Sequence, residues 1–329
     1  MNDYLKKFKL VMPTYLLVMV GTVFAMALIR WLFTIQFSII DIKIEIWEFL
    51  VPFILSWIVI HFLLKPKFKN LKIRNDAIGR KIEILCIVPW FILFIILALS
   101  QCYISTDSGK LEEVKNIEQV EQNRTAKYYK IENFVVDTSS IRAWVDNRCR
   151  GRFCNELSII IYFVYPFNDA EKETSITKYY GISFHYSLDN KQTDEGKEAD
   201  YEVLWKESLR KLKEYDFYDQ NQFERIEMSN QYQNYCHAVN NKSVKKIKNP
   251  IILVPLKESY ETRNGDKLLW IFIVFGIGSV LFLLLLLWPD YDKENHCFHK
   301  NVFPLIGNDE LKEKDKLIPE VSRKISSPK

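Results

Sequence analysis

The stretch from Lys65 to Lys81, KPKFKNLKIRNDAIGRK, decides how this chain is arranged. It is a short polar loop between two apolar runs, and Asp76 is the one acidic residue in it. Its basic residues are Lys65, Lys67, Lys69, Lys72, Arg74, Arg80 and Lys81. Because basic residues in a short loop resist translocation, such a loop stays on the cytoplasmic side of a membrane. The compartment of every other segment follows from that assignment.

Four apolar runs predict four membrane spans, at about 11–31, 46–64, 82–100 and 268–288. A helix of about 20 apolar residues crosses the hydrocarbon core of a bilayer. A cleavable signal peptide has a shorter apolar region and a small-residue cleavage site, whereas Arg30, Trp31 and Phe33 end the first run. We therefore predict a retained first span and a three-span membrane region over residues 1–100.

Residues 101–267 are charged and rich in aromatic side chains, and they are numerous enough to bury a core of their own. β-Branched and aromatic runs predict strands at 127–137, 141–147, 157–164, 175–188 and 250–255. A helix capped by Asp200 and a weaker one over 221–238 are predicted from their apolar spacing. Residues 108–125 are predicted to be a polar lead or a short helix.

The predicted fold class is a multi-pass α-helical membrane protein with an α+β extracytoplasmic domain between spans three and four. With residues 65–81 inside, parity places both termini in the cytoplasm and residues 101–267 outside, at the plasma (inner) membrane. The charge-rich tail at 289–329 is predicted to be cytoplasmic and mostly disordered. Arg30 and Glu48 both fall at the outer rim, and we predict that they lie close enough to pair.

Cys149 and Cys154 flank a short glycine-containing segment between two predicted strands. In an oxidising compartment this spacing favours a disulfide across a hairpin, worth roughly 2 kcal/mol for so short a loop. Two free thiols are the alternative.

Four arginines lie in or near the same segment: Arg142, Arg148, Arg150 and Arg152. At a hairpin tip they can bind phosphate headgroups or carboxylates of a partner. A solvated loop is the other interpretation.

The sequence predicts no catalytic residue, cofactor or metal. No second Cys/His pair lies at zinc-ligand spacing, and no phosphate-binding loop, dinucleotide fingerprint or HExxH motif is present. His185 lies between Ser183 and Ser187, and His237 follows Cys236, but neither set has a nucleophile, a base and an orienting group. The basic residues cluster beside apolar spans, which excludes a nucleic-acid-binding surface.

Three local stretches carry a resemblance: Met1–Lys9 with Pro13-Thr14-Tyr15, Thr125–Phe134 (TAKYYKIENF), and Arg263–Gly278 (RNGDKLLWIFIVFGIG) with Pro289-Asp290. The layout resembles the amino-terminal extension of a subset of bacterial rhomboid-family intramembrane serine proteases. That resemblance implies three spans, a large soluble insert and a fourth span. It also implies a peptidase core that follows the extension, with a Gly-x-Ser-Gly serine and a histidine on a later span.

Neither catalytic element of that core is found in these residues. Gly276-Ile277-Gly278-Ser279-Val280 lacks the serine motif, and no histidine lies in a later span. We therefore expect a non-catalytic membrane protein that lacks intramembrane peptidase activity and binds a peptide, protein or envelope component through its extracytoplasmic domain. Its partners would be the lipid bilayer and another membrane protein or envelope component. A membrane sensor or receptor-like module, and a part of a split or truncated rhomboid protease, are the alternatives.

Overall fold

The computed structural model describes residues 2–36, 42–68, 71–72, 80–122, 126–168, 178–191, 193–241, 246–287 and 289–291. The predicted disordered tail lies, beyond residue 291, outside these residues. The helices are α1 (Asn2–Arg30), α2 (Ile46–Phe68), α3 (Arg80–Asp107), α4 (Gln119–Gln122), α5 (Asp194–Lys213), α6 (Asn230–Asn240) and α7 (Lys267–Leu285). The strands are β1 (Leu71–Lys72), β2 (Leu111–Asn116), β3 (Tyr128–Asn133), β4 (Arg142–Arg150), β5 (Glu156–Pro166), β6 (Lys178–Asp189), β7 (Gln222–Arg225), β8 (Ile251–Pro255) and β9 (Asp290–Tyr291).

The four predicted apolar helices are confirmed. Helical segments at Tyr4–Thr34, Ile46–Phe68, Ile82–Asp107 and Tyr260–Leu285 are long and apolar enough to cross a membrane. They are apolar on most sides, and large side chains such as Leu17, Phe62 and Phe272 stay exposed. Such exposure suits lipid rather than water, because a helix that is apolar all round must be buried in protein or in a bilayer.

The chain forms two compact units, and the first contains Met1–Thr22, Leu55–Phe94 and Val274–Lys329. Its packing centres on Phe282, whose ring stacks on Tyr15 with centroids 4.1 Å apart. Close helix approach requires Gly278, because a Cβ at that position would lie 2.5 Å from Ile92 Cγ2. A side chain there would force the two helices apart.

Three chain segments meet within this first unit. The two residues of β1, in the basic loop, pair antiparallel with β9, which follows the last apolar helix. Lys7 Nζ donates to Pro289 O at 2.8 Å and brings the amino-terminal end to the same place. The amino terminus, the basic loop and the start of the tail therefore lie together.

The second unit contains Val23–Ile54 and Ile95–Ile273, and its main feature is a seven-stranded sheet. The strand order is β2-β3-β7-β8-β6-β5-β4; β2–β3 and β6–β8 are parallel and the other pairs antiparallel. Phe163, Tyr180 and Phe223 are buried in the core on the face covered by α5. Tyr162, Tyr235 and Ile252 form a second core beneath α6. The predicted α+β domain is therefore confirmed as a mixed sheet with helices on both faces.

Three predicted elements differ from the structure. The helix predicted to start at Asp200 begins instead after Thr193, whose Oγ1 accepts from Gly196 N at 3.3 Å. Residues 108–125 contain strand β2 as well as the short α4, because β2 pairs with β3 despite its polar sequence. The region 221–238 divides into β7 and α6, and Ser229 Oγ caps α6 by accepting from Tyr232 N.

The link between the first two apolar helices contacts the sheet domain. Ile44 N donates to Met228 O at 3.1 Å, and Lys43 Nζ donates to Asn230 Oδ1 at 3.2 Å. Glu45 Oε1 accepts from Asn230 N at 2.7 Å, at the start of α6. The described end of the link, residues 42–45, therefore packs against the start of α6.

Candidate binding surface

The four arginines predicted to act together do not form one cluster. Arg142 begins β4, and its guanidinium donates to Val239 O at 2.5 Å, at the end of α6. Arg150 ends the same strand, which places it about 26 Å away at 3.3 Å per residue. Arg148, Arg150 and Arg152 therefore remain as the arginines of the hairpin tip, while Arg142 secures α6.

The hairpin tip is the turn between β4 and β5, residues 151–155. Gly151 has a φ of +82°, a left-handed conformation that favours glycine, and Cys154 N donates to Gly151 O at 3.2 Å. Cys149 and Cys154 are joined by a disulfide, with Cα atoms 4.8 Å apart. Asn190 Nδ2 donates to Cys154 O at 2.7 Å and ties the turn to the end of β6. The tip is thus held by covalent and hydrogen bonds.

Large and charged groups project from this held turn. Phe153 is 77 % exposed, and the Arg152 guanidinium carbon lies 5.8 Å from the centroid of its ring. Arg150 and Arg152 make no ion pair with any residue that the structure describes, whereas Arg148 bonds to Asp146 Oδ2 at 2.7 Å. Exposed aromatic and arginine side chains are the residue types that are enriched at protein interfaces.

Strand register gives the position of the tip along the sheet relative to the start of β2. β2 begins at Leu111, shortly after α3 ends at Asp107. The pairings link Leu111 to Val254 through Tyr128 and Glu224, and link Arg142 to Gly181 through Val164. Val254 and Gly181 directly follow the paired residues Leu253 and Tyr180, so Arg142 is level with Leu111 to within about a residue. Because β4 then runs about 26 Å further, the tip lies at the far end of the sheet from the connection to α3.

The edge of the sheet at β4 is open, because β4 is the terminal strand and pairs only with β5 among the described residues. Asn190 N donates to Asn155 O at 2.8 Å, so alternate residues from Asn155 onward direct their backbone groups toward β6. Glu156 therefore bonds toward β4, where its register partner is Arg150. The remaining backbone groups of β4 point away from the sheet, at Ala143, Val145, Asn147 and Cys149.

One end of this open edge is already occupied. Ala143 O accepts from Asn241 Nδ2 at 2.8 Å, which agrees with the outward direction of that carbonyl. From Val145 to Cys149, no described residue hydrogen-bonds to the outward N–H and C=O groups. The open edge, Val145–Cys149, therefore begins beside Asn241 and ends at the tip.

The sheet face beside the open edge is only partly covered by α6. His237 stacks on Trp144 with ring centroids 4.9 Å apart, and Asn234 Nδ2 donates to Asp146 Oδ2 at 2.9 Å. Beyond this contact the face is polar and largely exposed. Two cross-strand rows form it, Arg148–Ser158–Ser187 and Arg150–Glu156–Asp189.

The residues with catalytic potential do not assemble. Ser187 Oγ donates to the Glu156 carboxylate, while His185 makes no hydrogen bond with any residue in the described part of the chain. Burial raises the pKa of the Cys236 thiol, so less of it is ionised at neutral pH. No group of three or more His, Cys, Asp or Glu residues that could hold a metal is found among the described residues.

The basic loop is described in part. Lys65 Nζ pairs with Glu83 Oε1 at 2.5 Å, and Lys67 is exposed. Lys69 and Arg74 lie outside the described residues, as do the side chains of Lys72, Arg80 and Lys81. Their role in setting the topology stays a prediction.

Buried polar contacts at the ends of the first and third apolar helices were not found from the sequence. Arg30 is 4 % exposed, and its guanidinium donates to Gln101 O at 2.7 Å and to Gln101 Oε1 at 3.3 Å. Glu48, the predicted partner, makes no ion pair with Arg30, whose hydrogen bonds go to Gln101. Lys127, 8 % exposed, donates to Ser105 O at 2.8 Å. The sequence did contain a signal for this contact: Arg30 ends the first apolar run, and Gln101 follows the third.

No protein-family model, curated protein or solved structure matches the chain. The residues and their geometry therefore carry the functional proposal.

Proposed function

We propose that this chain is a non-catalytic integral membrane protein whose extracytoplasmic domain binds a peptide, protein or envelope component. In this proposal the chain corresponds to the anchoring and regulatory extension of rhomboid-family proteins. The observation that carries it is the hairpin tip: a disulfide-held turn, far from the connection to α3, that exposes Phe153 beside Arg150 and Arg152, which make no ion pair among the described residues. A rigid aromatic group loses little conformational entropy on binding, which suits it to anchor a partner.

The proposed location is the plasma (inner) membrane, with both termini in the cytoplasm. Supporting this, the amino terminus, the basic loop and the start of the tail contact one another, whereas the first link contacts the domain. If the chain crosses the membrane four times, both termini and the loop at 65–81 lie on one side, and the first link and residues 101–267 lie on the other. The basic residues at 65–81 then favour the cytoplasm for the first group.

Thiol labelling in intact cells tests the orientation. In a background with the four cysteines other than Cys149 and Cys154 changed to serine, we expect Lys206→Cys on α5 to react with a membrane-impermeant maleimide. Lys67→Cys in the basic loop should react only after the membrane is opened. Both positions are exposed, so burial does not explain a difference. The opposite labelling pattern would reverse the topology.

Photocrosslinking in intact cells tests the binding function. A benzophenone amino acid in place of Phe153 should give a discrete crosslinked adduct, because this side chain is 77 % exposed at the proposed surface. The matched control is the same substitution at Tyr218, an aromatic residue 57 % exposed elsewhere on the domain. Equal crosslinking at both positions, or none at Phe153, would contradict the proposal.

A further inference from the structure

We propose that the open edge, Val145–Cys149, takes up an extended acidic peptide segment of a partner protein as an eighth strand of the sheet. This inference rests on the proposed binding function and specifies its ligand. In β-strand addition, backbone hydrogen bonds provide affinity and the flanking side chains provide specificity. Both contributions can be identified at this edge.

The backbone contribution comes from alternate residues of β4. Val145, Asn147 and Cys149 direct N–H and C=O away from β5, and no described residue occupies them. Asn241 closes the site at Ala143, and the disulfide closes it at Cys149. An incoming strand of about five residues fills the space between, which is an ordinary strand length.

The disulfide and the hydrogen bonds of Asn190 keep the far end of this edge in place before any ligand arrives. A site that is already ordered loses less entropy when it binds.

The charge contribution comes from Arg148, Arg150 and Arg152. The first two share one face of β4, so residues on an added strand would lie about 5 Å away, Cβ to Cβ. Arg148 is ion-paired with Asp146, whereas Arg150 and Arg152 make no ion pair among the described residues. Glu156 lies opposite Arg150 in the register but accepts its hydrogen bond from Ser187. Carboxylates on the incoming strand would form charge-assisted hydrogen bonds with them.

A second copy of β4 is a less suitable occupant, because it would bring Arg148, Arg150 and Arg152 again with a single carboxylate, Asp146, that already pairs with Arg148 of its own strand. The acidic edge strand β2 of another copy is a less suitable occupant. Its Glu113 already pairs with Lys130 at 2.9 Å. An acidic segment of another protein therefore suits Arg150 and Arg152, which make no ion pair among the described residues, better than a second copy of this chain does.

Fluorescence anisotropy with the full chain in phosphatidylcholine nanodiscs tests this proposal. The probe is a labelled peptide of about nine residues that alternates valine and glutamate, long enough to cover the edge. The control is its valine–lysine counterpart. We expect the acidic peptide to bind at least about tenfold more tightly. Equal binding of the two peptides would overturn the assignment of an acidic ligand.

Two further variants separate backbone pairing from simple charge attraction. N-methylation of alternate amides in the acidic peptide blocks strand pairing and leaves the protein intact, and it should weaken binding by about tenfold. Arg150→Glu with Arg152→Glu should weaken it similarly, whereas Lys206→Glu with Arg210→Glu, which changes the net charge equally on α5, should not. Unchanged binding of the methylated peptide would reject strand addition.

The outcome is distinct from the test of the binding function. If Phe153 crosslinks a partner in cells but the acidic peptide does not bind, the proposed binding function is supported and the proposed acidic ligand is wrong. Sedimentation of the protein in detergent without peptide tests whether two copies of the chain pair with each other. A dimer that Glu112→Lys with Glu113→Lys dissociates would show that β2 of a second copy occupies the edge.

Discussion

Arg30→Leu should lower the free energy of unfolding by about 3 kcal/mol, because the change leaves the buried amide of Gln101 without its donor. Gln101 is fully buried, and its Nε2 has no hydrogen-bond partner among the described residues, so Arg30 provides the contact to its Oε1. Both residues are buried inside the protein, so solvent does not replace a lost partner.

The double variant Arg30→Leu/Gln101→Leu distinguishes a polar pair from generic packing. Replacing both polar groups by apolar ones removes the desolvation cost of each, so the double variant should lose less stability than the sum of the single changes. Arg152→Leu is the control, since Arg152 is exposed and should change stability by less than about 0.5 kcal/mol.

Chemical unfolding of the detergent-solubilised full chain compares the unchanged protein with Arg30→Leu, Gln101→Leu, the double variant and Arg152→Leu. Additive losses in the double variant would show that Arg30 and Gln101 act independently, contrary to the hydrogen bonds between them. Full retention of stability in Arg30→Leu would show that the hydrogen bonds from Arg30 to Gln101 contribute nothing to the stability of the folded chain.

The apolar helices and strand β5 were predictable because their signals are local, although β5 lies next to the edge of the sheet and not at its centre. An uncharged run such as residues 268–288 must lie in lipid or in a protein interior, and this requirement does not depend on the rest of the chain. Strand β5 is likewise a continuous β-branched and aromatic run, and the structure places it between β4 and β6. The hairpin at Cys149 and Cys154 follows from the glycine between two strands.

Strand β2 and the open edge could not be predicted in this way, because they depend on strand order. The sequence of β2, LEEVKN, has little strand preference, and its pairing with β3 determines its conformation. Arg142 seemed from sequence to belong with the tip arginines, but the direction of β4 carries it to α6. Which strand is terminal is a property of the whole sheet, so no local pattern reveals the free backbone groups of Val145–Cys149.

Phe163→Ala should destabilise the sheet domain by about 3–5 kcal/mol, the usual cost of removing a fully buried phenylalanine. Phe163 is 0 % exposed on β5, with ring centroids 6.0 Å from Phe184 and 5.6 Å from Trp205. It therefore joins α5 to the sheet, and its loss leaves a cavity in the largest core of the domain. Phe153→Ala removes the same atoms from a side chain that is 77 % exposed, so it is the matched control.

Hydrogen exchange of the full chain in detergent, followed by mass spectrometry, measures the difference segment by segment. Amides of β5 and β6 exchange by opening of the core, so Phe163→Ala should accelerate their exchange by at least about a hundredfold, as expected for a loss of 3 kcal/mol. Exchange in the apolar helices of the first unit should stay unchanged, because the lost contacts all lie within the second. Phe153→Ala should leave both regions as they were. Faster exchange throughout the chain in Phe163→Ala would mean instead that the domain and the apolar helices unfold as one cooperative unit.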